Sequence, residues 1–381
     1  MNKVIRLTEQ YERKEIKKIT EDICVNDFLL EIFKKMEAEN VVYSPASLLF
    51  ALGLLSLGAD KETKIKMQEV FGAEIEDLSS SLSQTLDSLT EIEEPAVLKI
   101  GNSIWIDKQY KIKKSYLQKV VDYYHGDIYS GIIGSDELLK EVNSWVERNT
   151  NGLIKKLHEE NYQSSVKTVL INTLYFKANW MMPFKKCNTR KKSFKVNSKE
   201  TVETDFMNMT EYLNYYEDKN CQATILPYCD GRVEMILIKP KNGLKELVDI
   251  IDDRFINKVS ETEEHKDIQL ALPKFNIDFT ANFKSLLVKT ALKIIFEETA
   301  DFSKISNDPL IVSDILQKVK IIVDEAGTEA AAVTEIMLMK AMMHTVKYKR
   351  LIFDEPFVYV IRDKETNLIL FIGTLNNPEL K

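Results

Sequence analysis

The sequence predicts an α+β protein, on three observations. Helical periodicity dominates the first third of the chain, strand-type apolar runs follow it, and the C-terminus reads as a hairpin. The 381 residues suffice for a large core without disulfide staples. A composition of 44% hydrophobic and 29% charged residues is that of a folded globular chain. With only 12 Gly and 9 Pro, no linker-rich stretch and no internal repeat, one domain over residues 1–381 is expected.

The helices come first. Asp27 to Met36 places Phe28, Leu29, Ile32 and Phe33 on one face. Ser47 to Leu57 is apolar nearly all round, which implies deep burial. Asp60 to Phe71 is amphipathic and stops at Gly72, and the Ser-rich acidic stretch Glu74 to Glu94 reads as an exposed helix. Strands are then expected at Val97–Ile106, Thr168–Lys177, within Ala223–Pro240, at Ile268–Phe275 up to its Pro-Lys-Phe stop, and at Val319–Val323. Phe357–Ile361 and Leu368–Ile372 flank the polar turn Arg362–Asn367, and their apolar residues on both faces predict a buried sheet.

Several functions are excluded early. A net charge of −7 lacks the basic footprint of a nucleic-acid binder. Four His (His125, His158, His265, His344) and four Cys (Cys24, Cys187, Cys221, Cys229) without C-x-x-C spacing leave metal sites and Cys/His catalysis short of parts, so no metal, cofactor or catalytic residue is expected. The motifs G-x-S-x-G, H-E-x-x-H, G-x-G-x-x-G and G-x-x-x-x-G-K-[ST] are missing from the chain. His158-Glu159-Glu160 lacks a second His. The uncharged run Asn40–Ala59 is broken by Pro45, Gly53, Gly58 and serines, so a core helix is expected rather than a membrane span. The N-terminus has no apolar signal core, and the cysteines read as free thiols. The expected compartment is therefore the cytoplasm, or release by a route without a cleaved signal peptide. One N-x-[ST] sequon, at Asn208, is close to a chance match.

The segment from Asp324 to Thr345 obeys no simple rule. Its small residues come first (Gly327, Thr328, Ala330, Ala331, Ala332) and its large apolar ones last (Met337, Leu338, Met339, Met342, Met343). Ala- and Glu-rich composition favours a helix. A strand period instead puts Thr328, Ala330, Ala332, Thr334, Ile336 and Leu338 on one uncharged face, with Glu329 and Glu335 on the other. As a plain exposed connection its apolar cluster would be out of place.

Glu325-Ala326-Gly327-Thr328-Glu329-Ala330-Ala331-Ala332 resembles the hinge signature of the serpins, and the likeness extends over nearly the whole chain. Asn40-Val41-Val42-Tyr43-Ser44-Pro45-Ala46-Ser47, Val142-Asn143-Ser144-Trp145-Val146, Ile171 through Trp180, Ala300-Asp301-Phe302-Ser303, Pro356-Phe357 and Leu370-Phe371-Ile372-Gly373 follow in the family's order and spacing. The resemblance, to the ovalbumin-like type without a cleaved signal peptide, implies the serpin fold. That fold has three β-sheets, eight or nine helices and an exposed reactive-centre loop, here about 325–350.

The resemblance further implies a monomeric suicide-substrate inhibitor of serine proteases. A protease is acylated by the loop, the cleaved loop enters the central sheet as a new strand, and the covalent complex is trapped. The hinge Glu325, Gly327, Thr328, Glu329, Ala330, Ala331 and Ala332 meets the demand for small residues. Inserting about 15 residues at ~3.3 Å each would carry a tethered protease ~50 Å. The new ladder would contribute on the order of 10 kcal/mol. Family spacing puts the scissile bond at Ala341–Met342, an elastase-like site. Lys340–Ala341 (trypsin-like) and Met342–Met343 (chymotrypsin- or cathepsin-G-like) remain alternatives. Ser44, Ser47, Asn172 and Gln317 map to the sheet-opening region, with Gln317 where many members hold a histidine, and Trp180 maps to the top of the sheet. Basic clusters at Lys111–Lys114 and Lys185–Lys192 read as solvated faces ahead of a glycosaminoglycan site. A non-inhibitory serpin-fold carrier or chaperone is the competing function, and the smooth hinge argues against it.

Overall fold

The computed structural model describes residues 3–16, 25–92, 96–163, 165–328 and 348–380. The helix Pro45–Ser56 is buried along its whole length, as its unbroken apolar pattern requires. Ser44 caps it by accepting a hydrogen bond from the Ser47 amide, and Pro45 occupies the first turn, where its missing N–H costs nothing. Asn26–Lys34 and Lys61–Phe71 are amphipathic helices, the second closed by Gly72 in the left-handed region.

The Ser-rich stretch forms the helix Ile75–Thr90, but it is not an exposed one. Ile75, Leu78, Leu82, Leu86 and Leu89 bury one face, and Ser79, Ser80, Ser81 and Ser83 are buried with them. The small serines allow close approach to neighbours: Ser79 Oγ lies 3.0 Å from the Tyr124 hydroxyl. Among the described residues there are nine α-helices. Lys114–Tyr124 and Asp136–Asn149 are two that the apolar spacing had not singled out.

The first sheet has seven strands in the order Ile5–Arg6, Asp127–Gly131, Val97–Asp107, Thr168–Asn179, Gly327–Thr328, Asp314–Val323 and Phe275–Asn282. The helix Asp136–Asn149 covers one of its faces, where Trp105 stacks on Tyr129 and meets Trp145 edge-on. The other face packs on the main core with Pro45–Ser56.

The remaining strands form a single hydrogen-bonded network of nine. Its continuity comes from the 17-residue strand Thr201–Glu217. Phe206–Asn214 of that strand pairs with His265–Pro273, and Tyr215–Glu217 with Cys221–Pro227. Two sheets are thus joined along one strand, which accounts for the three expected sheets appearing as two networks. The apolar run Ala223–Pro240 resolves into a hairpin, Cys221–Pro227 with Val233–Pro240. Pro273-Lys274-Phe275 does not stop a strand for good: Phe275 opens the next one, in the first sheet.

The C-terminal strands Phe357–Asp363 and Ile369–Leu375 pair as predicted and are buried throughout. Within them Gly373 is required by contact. A Cβ there would fall against the Val41 carbonyl oxygen and the Tyr359 hydroxyl. Gly373→Ala is expected to cost about 1–3 kcal/mol by overpacking. A lowered urea midpoint with unchanged slope would show it, and a midpoint equal to the parent's would contradict the contact.

Candidate functional site

The site is a seam in the first sheet. Thr168–Asn179 and Asp314–Val323 run parallel, and their direct pairing extends from Val169↔Asp314 to Thr173↔Lys318. Beyond Thr173 and Lys318 the described ladder between them ends. The next pairs belong to Gly327–Thr328, which lies between the two strands and antiparallel to both: Gly327↔Asn179, Thr328↔Ala178 and Thr328↔Val323. Among the described residues no ladder pairing joins Leu174–Lys177 to Val319–Ile322 across the seam, and a two-residue strand is seated at its upper end.

The lower end is closed by a buried polar knot. Gln317 and Asn172 are ladder partners, and Gln317 Nε2 donates to Asn172 Oδ1 at 2.9 Å. Gln317 also accepts from the Ser44 amide (2.9 Å) and donates to the Ser44 carbonyl (3.0 Å). Ser47 Oγ donates to Asn172 Oδ1 at 2.6 Å. All four residues are 1% exposed or less, so each bond is made away from water and is costly to lose. Beside them Asn172 Nδ2, Thr173 Oγ1 and both amide atoms of Asn102 lack partners among the described residues, so the closed sheet carries an unmet polar demand.

The upper end is the hinge. Asp324 Oδ1 accepts from the amides of Ala326 (2.8 Å) and Gly327 (3.3 Å), forming a turn that directs the chain back into the sheet. Gly327 is obligatory there, because a Cβ would strike the Ala178 carbonyl oxygen. Thr328 is 2% exposed, and its hydroxyl lies 2.6 Å from that of Tyr228. The Tyr228 ring stacks on Trp180 at 4.6 Å, and Trp180 Nε1 donates to the Asp324 carbonyl at 3.0 Å.

Glu325 accepts from Thr189 Oγ1 (2.7 Å) and Lys274 Nζ (2.8 Å), while the Phe184 amide donates to its carbonyl. Burial alone would raise the Glu325 carboxyl, but the bonds from Lys274 and Thr189 outweigh it and hold the pKa below the ordinary value of 4.5. Burial pushes the Tyr228 phenol far up, so it stays protonated and able to share a hydrogen with Thr328.

A profile described as Serpin (serine protease inhibitor) matches residues 24–378. The chain belongs to the serpin family. It is 32% identical to an uncharacterized serpin-like protein of Thermococcus kodakarensis, over 93% of this chain and 85% of that one. It is 31% identical to the leukocyte elastase inhibitor of Xenopus tropicalis, over 92% and 97%. The native state of the thermophilic serpin tengpin superposes with a TM-score of 0.91 at 30% identity, covering 98% of this chain and 99% of that one. Human thyroxine-binding globulin superposes at 0.86 with 26% identity, covering 93% and 97%. The serpin fold expected from the sequence is thus established.

The structure gathers the sheet-opening residues Ser44, Ser47, Asn172 and Gln317 into one knot, and Trp180 with Glu325, Gly327 and Thr328 at the other end of the seam. Helix propensity misjudged the start of the loop segment, where Gly327–Thr328 is a strand held by two neighbours. Glu329, Ala330, Ala331, Ala332 and the candidate reactive-centre residues Lys340, Ala341, Met342 and Met343 lie outside the described residues. Sequence reasoning missed Tyr228, Thr189 and Lys274, which hold the hinge from 100, 136 and 51 residues away. Only Lys274 had a local signal, its place in the Pro-Lys-Phe kink.

Two predictions follow from these contacts. The Glu325 carboxyl titrates lower in the folded state than in the unfolded one. Its stabilisation is therefore complete above the ordinary value and lost as pH falls through the lowered one. Between about pH 5 and 3 the parent should lose thermal stability more steeply than Glu325→Gln, and parallel pH profiles would refute the latch. Gln317 does not titrate, so the rate of sheet opening, followed by uptake of a synthetic loop peptide, should vary less than about twofold from pH 5.5 to 8. Gln317→His should introduce a dependence across that range.

Proposed function

We propose that this serpin is an inhibitor rather than a catalyst, and that it traps a serine protease covalently. The protease serine attacks the carbonyl of the scissile bond, the new amine end leaves the acyl centre while its fragment stays anchored by the buried strands Phe357–Asp363 and Ile369–Leu375, and the N-terminal part of the loop stays esterified to the enzyme. That part then enters the seam as a strand and distorts the attached active site, where a misplacement of about 1 Å costs ~100-fold in rate. Deacylation becomes slower than insertion.

The observation that carries this reading is the seating of Gly327–Thr328 in the seam. The segment already points along the path that an inserting strand must follow. Thr328 is lodged where a charged side chain would have to be buried, and the residues after it, Ala330 to Ala332, are small. A chain required only to carry a ligand has no need of so smooth an entrance.

The scissile bond is placed at Ala341–Met342 with an elastase-like target, ahead of Lys340–Ala341 and Met342–Met343. We take the inhibitor to act as a single-domain monomer in the cytoplasm. Cys187, Cys221 and Cys229 are free thiols, which suits a reducing compartment. Among the described residues no helix is long and apolar enough to cross a membrane.

Incubation with pancreatic elastase, trypsin or cathepsin G should give a band with one of them that survives denaturing electrophoresis. Mass analysis of the fragment released on denaturation should identify the bond. Thr328→Arg should turn the inhibitor into a substrate, raising the stoichiometry of inhibition at least tenfold. Cleavage by every protease without a stable band would support a non-inhibitory serpin instead.

A further inference from the structure

A cavity of ≈ 440 Å³ lies on the outward face of the second network. Strand register builds its floor. Thr210, Gln269 and Arg350 form one cross-strand row, and Asn208, Ala271 and Ile352 form the next. The small Ala271 between Asn208 and Ile352 leaves a dent, and Pro183, Lys185 and Asn188 wall it from the side.

The charge of the cavity is one-sided. Lys185, Lys192 and Arg350 line it against a single carboxylate, Glu211, an excess of two positive charges. Lys185 and Arg350 are exposed, and among the described residues neither has an ion-pair partner. Lys192 Nζ is held in place by Asn208 Oδ1 at 3.0 Å, while the Asn208 amide nitrogen donates to the carbonyls of Asn188 (2.9 Å) and Phe206 (2.8 Å). This Asn208 is the sequon residue, and its amide is already engaged within the fold.

We propose that this cavity binds a small phosphate ester. A phosphate monoester carries close to two negative charges above pH 7 and three strong acceptor oxygens, which matches the excess of two. Arg350 offers a planar fork suited to two of those oxygens, and the lysines act as point charges. The volume falls in the range of sites that enclose a small organic molecule and exceeds what a bare phosphate fills. Pro183 and Ile352 supply apolar contact for the body of the ester. The proposal stands independently of protease inhibition.

The test is calorimetric titration of the full chain at pH 7.5 and low salt with 4-methylumbelliferyl phosphate, its uncharged parent analogue 7-methoxy-4-methylcoumarin and inorganic phosphate. The ester should bind at least tenfold more tightly than either of the others. The exposed substitutions Lys185→Gln and Arg350→Gln together should weaken it at least tenfold, whereas Lys245→Gln, on the helix Leu244–Ile250, should leave it unchanged. Retention of affinity in the double variant with unchanged circular dichroism, or equal binding of the neutral parent, overturns the proposal. Equal binding of inorganic phosphate overturns the ester and reduces the site to a generic anion patch.

Discussion

Everything in this molecule turns on a sheet that is only partly zipped along its middle. Among the described residues, Thr168–Asn179 and Asp314–Val323 are ladder partners from Val169 to Thr173, and the next pairing across the seam is made by Thr328, between Ala178 and Val323. A strand edge facing a seam offers N–H and C=O groups that each gain a protein hydrogen bond when another strand pairs with them. A partner for them lies in the same chain: the segment after Thr328 has the length, the small residues and the uncharged parity to complete the ladder. The free-energy gradient that would drive insertion is thus a property of backbone pairing, and side-chain identity decides only whether the entering strand fits.

Two groups of polar contacts restrain that gradient. At the lower end Gln317, Asn172, Ser44 and Ser47 tie the seam to the start of the buried helix Pro45–Ser56, so parting the strands also loosens a helix cap. At the upper end Glu325 is gripped by Lys274, Thr189 and the Phe184 amide, while Thr328 is gripped by Tyr228. The restraints differ in kind. The lower knot is neutral, so salt and pH leave it largely alone. The upper latch includes an ion pair with Lys274 37% exposed, so it is open to screening and to protonation of the carboxylate.

Much of the architecture was legible because local pattern and tertiary context agree. The apolar run after Pro45 has no polar face, so it had to be a core helix. The last two strands are apolar on both faces, so they had to be buried. Legibility failed where the deciding partner is remote in sequence. The serines of Ile75–Thr90 looked solvent-facing, yet smallness rather than polarity sets their place against Tyr124. The Ala-rich hinge has high helix propensity, but propensity yields to two waiting strand edges. The seam residues Ser44, Ser47, Asn172 and Gln317 came from family resemblance, since nothing in their spacing brings 44 next to 317. Tyr228 carried no signal of either sort: its role exists only once the hairpin Cys221–Pro227 to Val233–Pro240 places its hydroxyl under Thr328.

The choice of polar restraints over apolar ones has a mechanical consequence. Dispersion and apolar burial are non-directional, so packing alone would fix the register of the seam less sharply. Hydrogen bonds between buried amides and hydroxyls are short-ranged and directional, and a half-broken one leaves both groups unsatisfied without water to replace the partner. Gln317 concentrates this behaviour, because its one amide serves Ser44 twice and Asn172 once, so a small rotation endangers three bonds together. Asn102 and the Asn172 Nδ2, which lack partners among the described residues, push the other way and lower the cost of parting the strands. On the proposed mechanism, a seam built like this would favour two well-separated states, shut or filled.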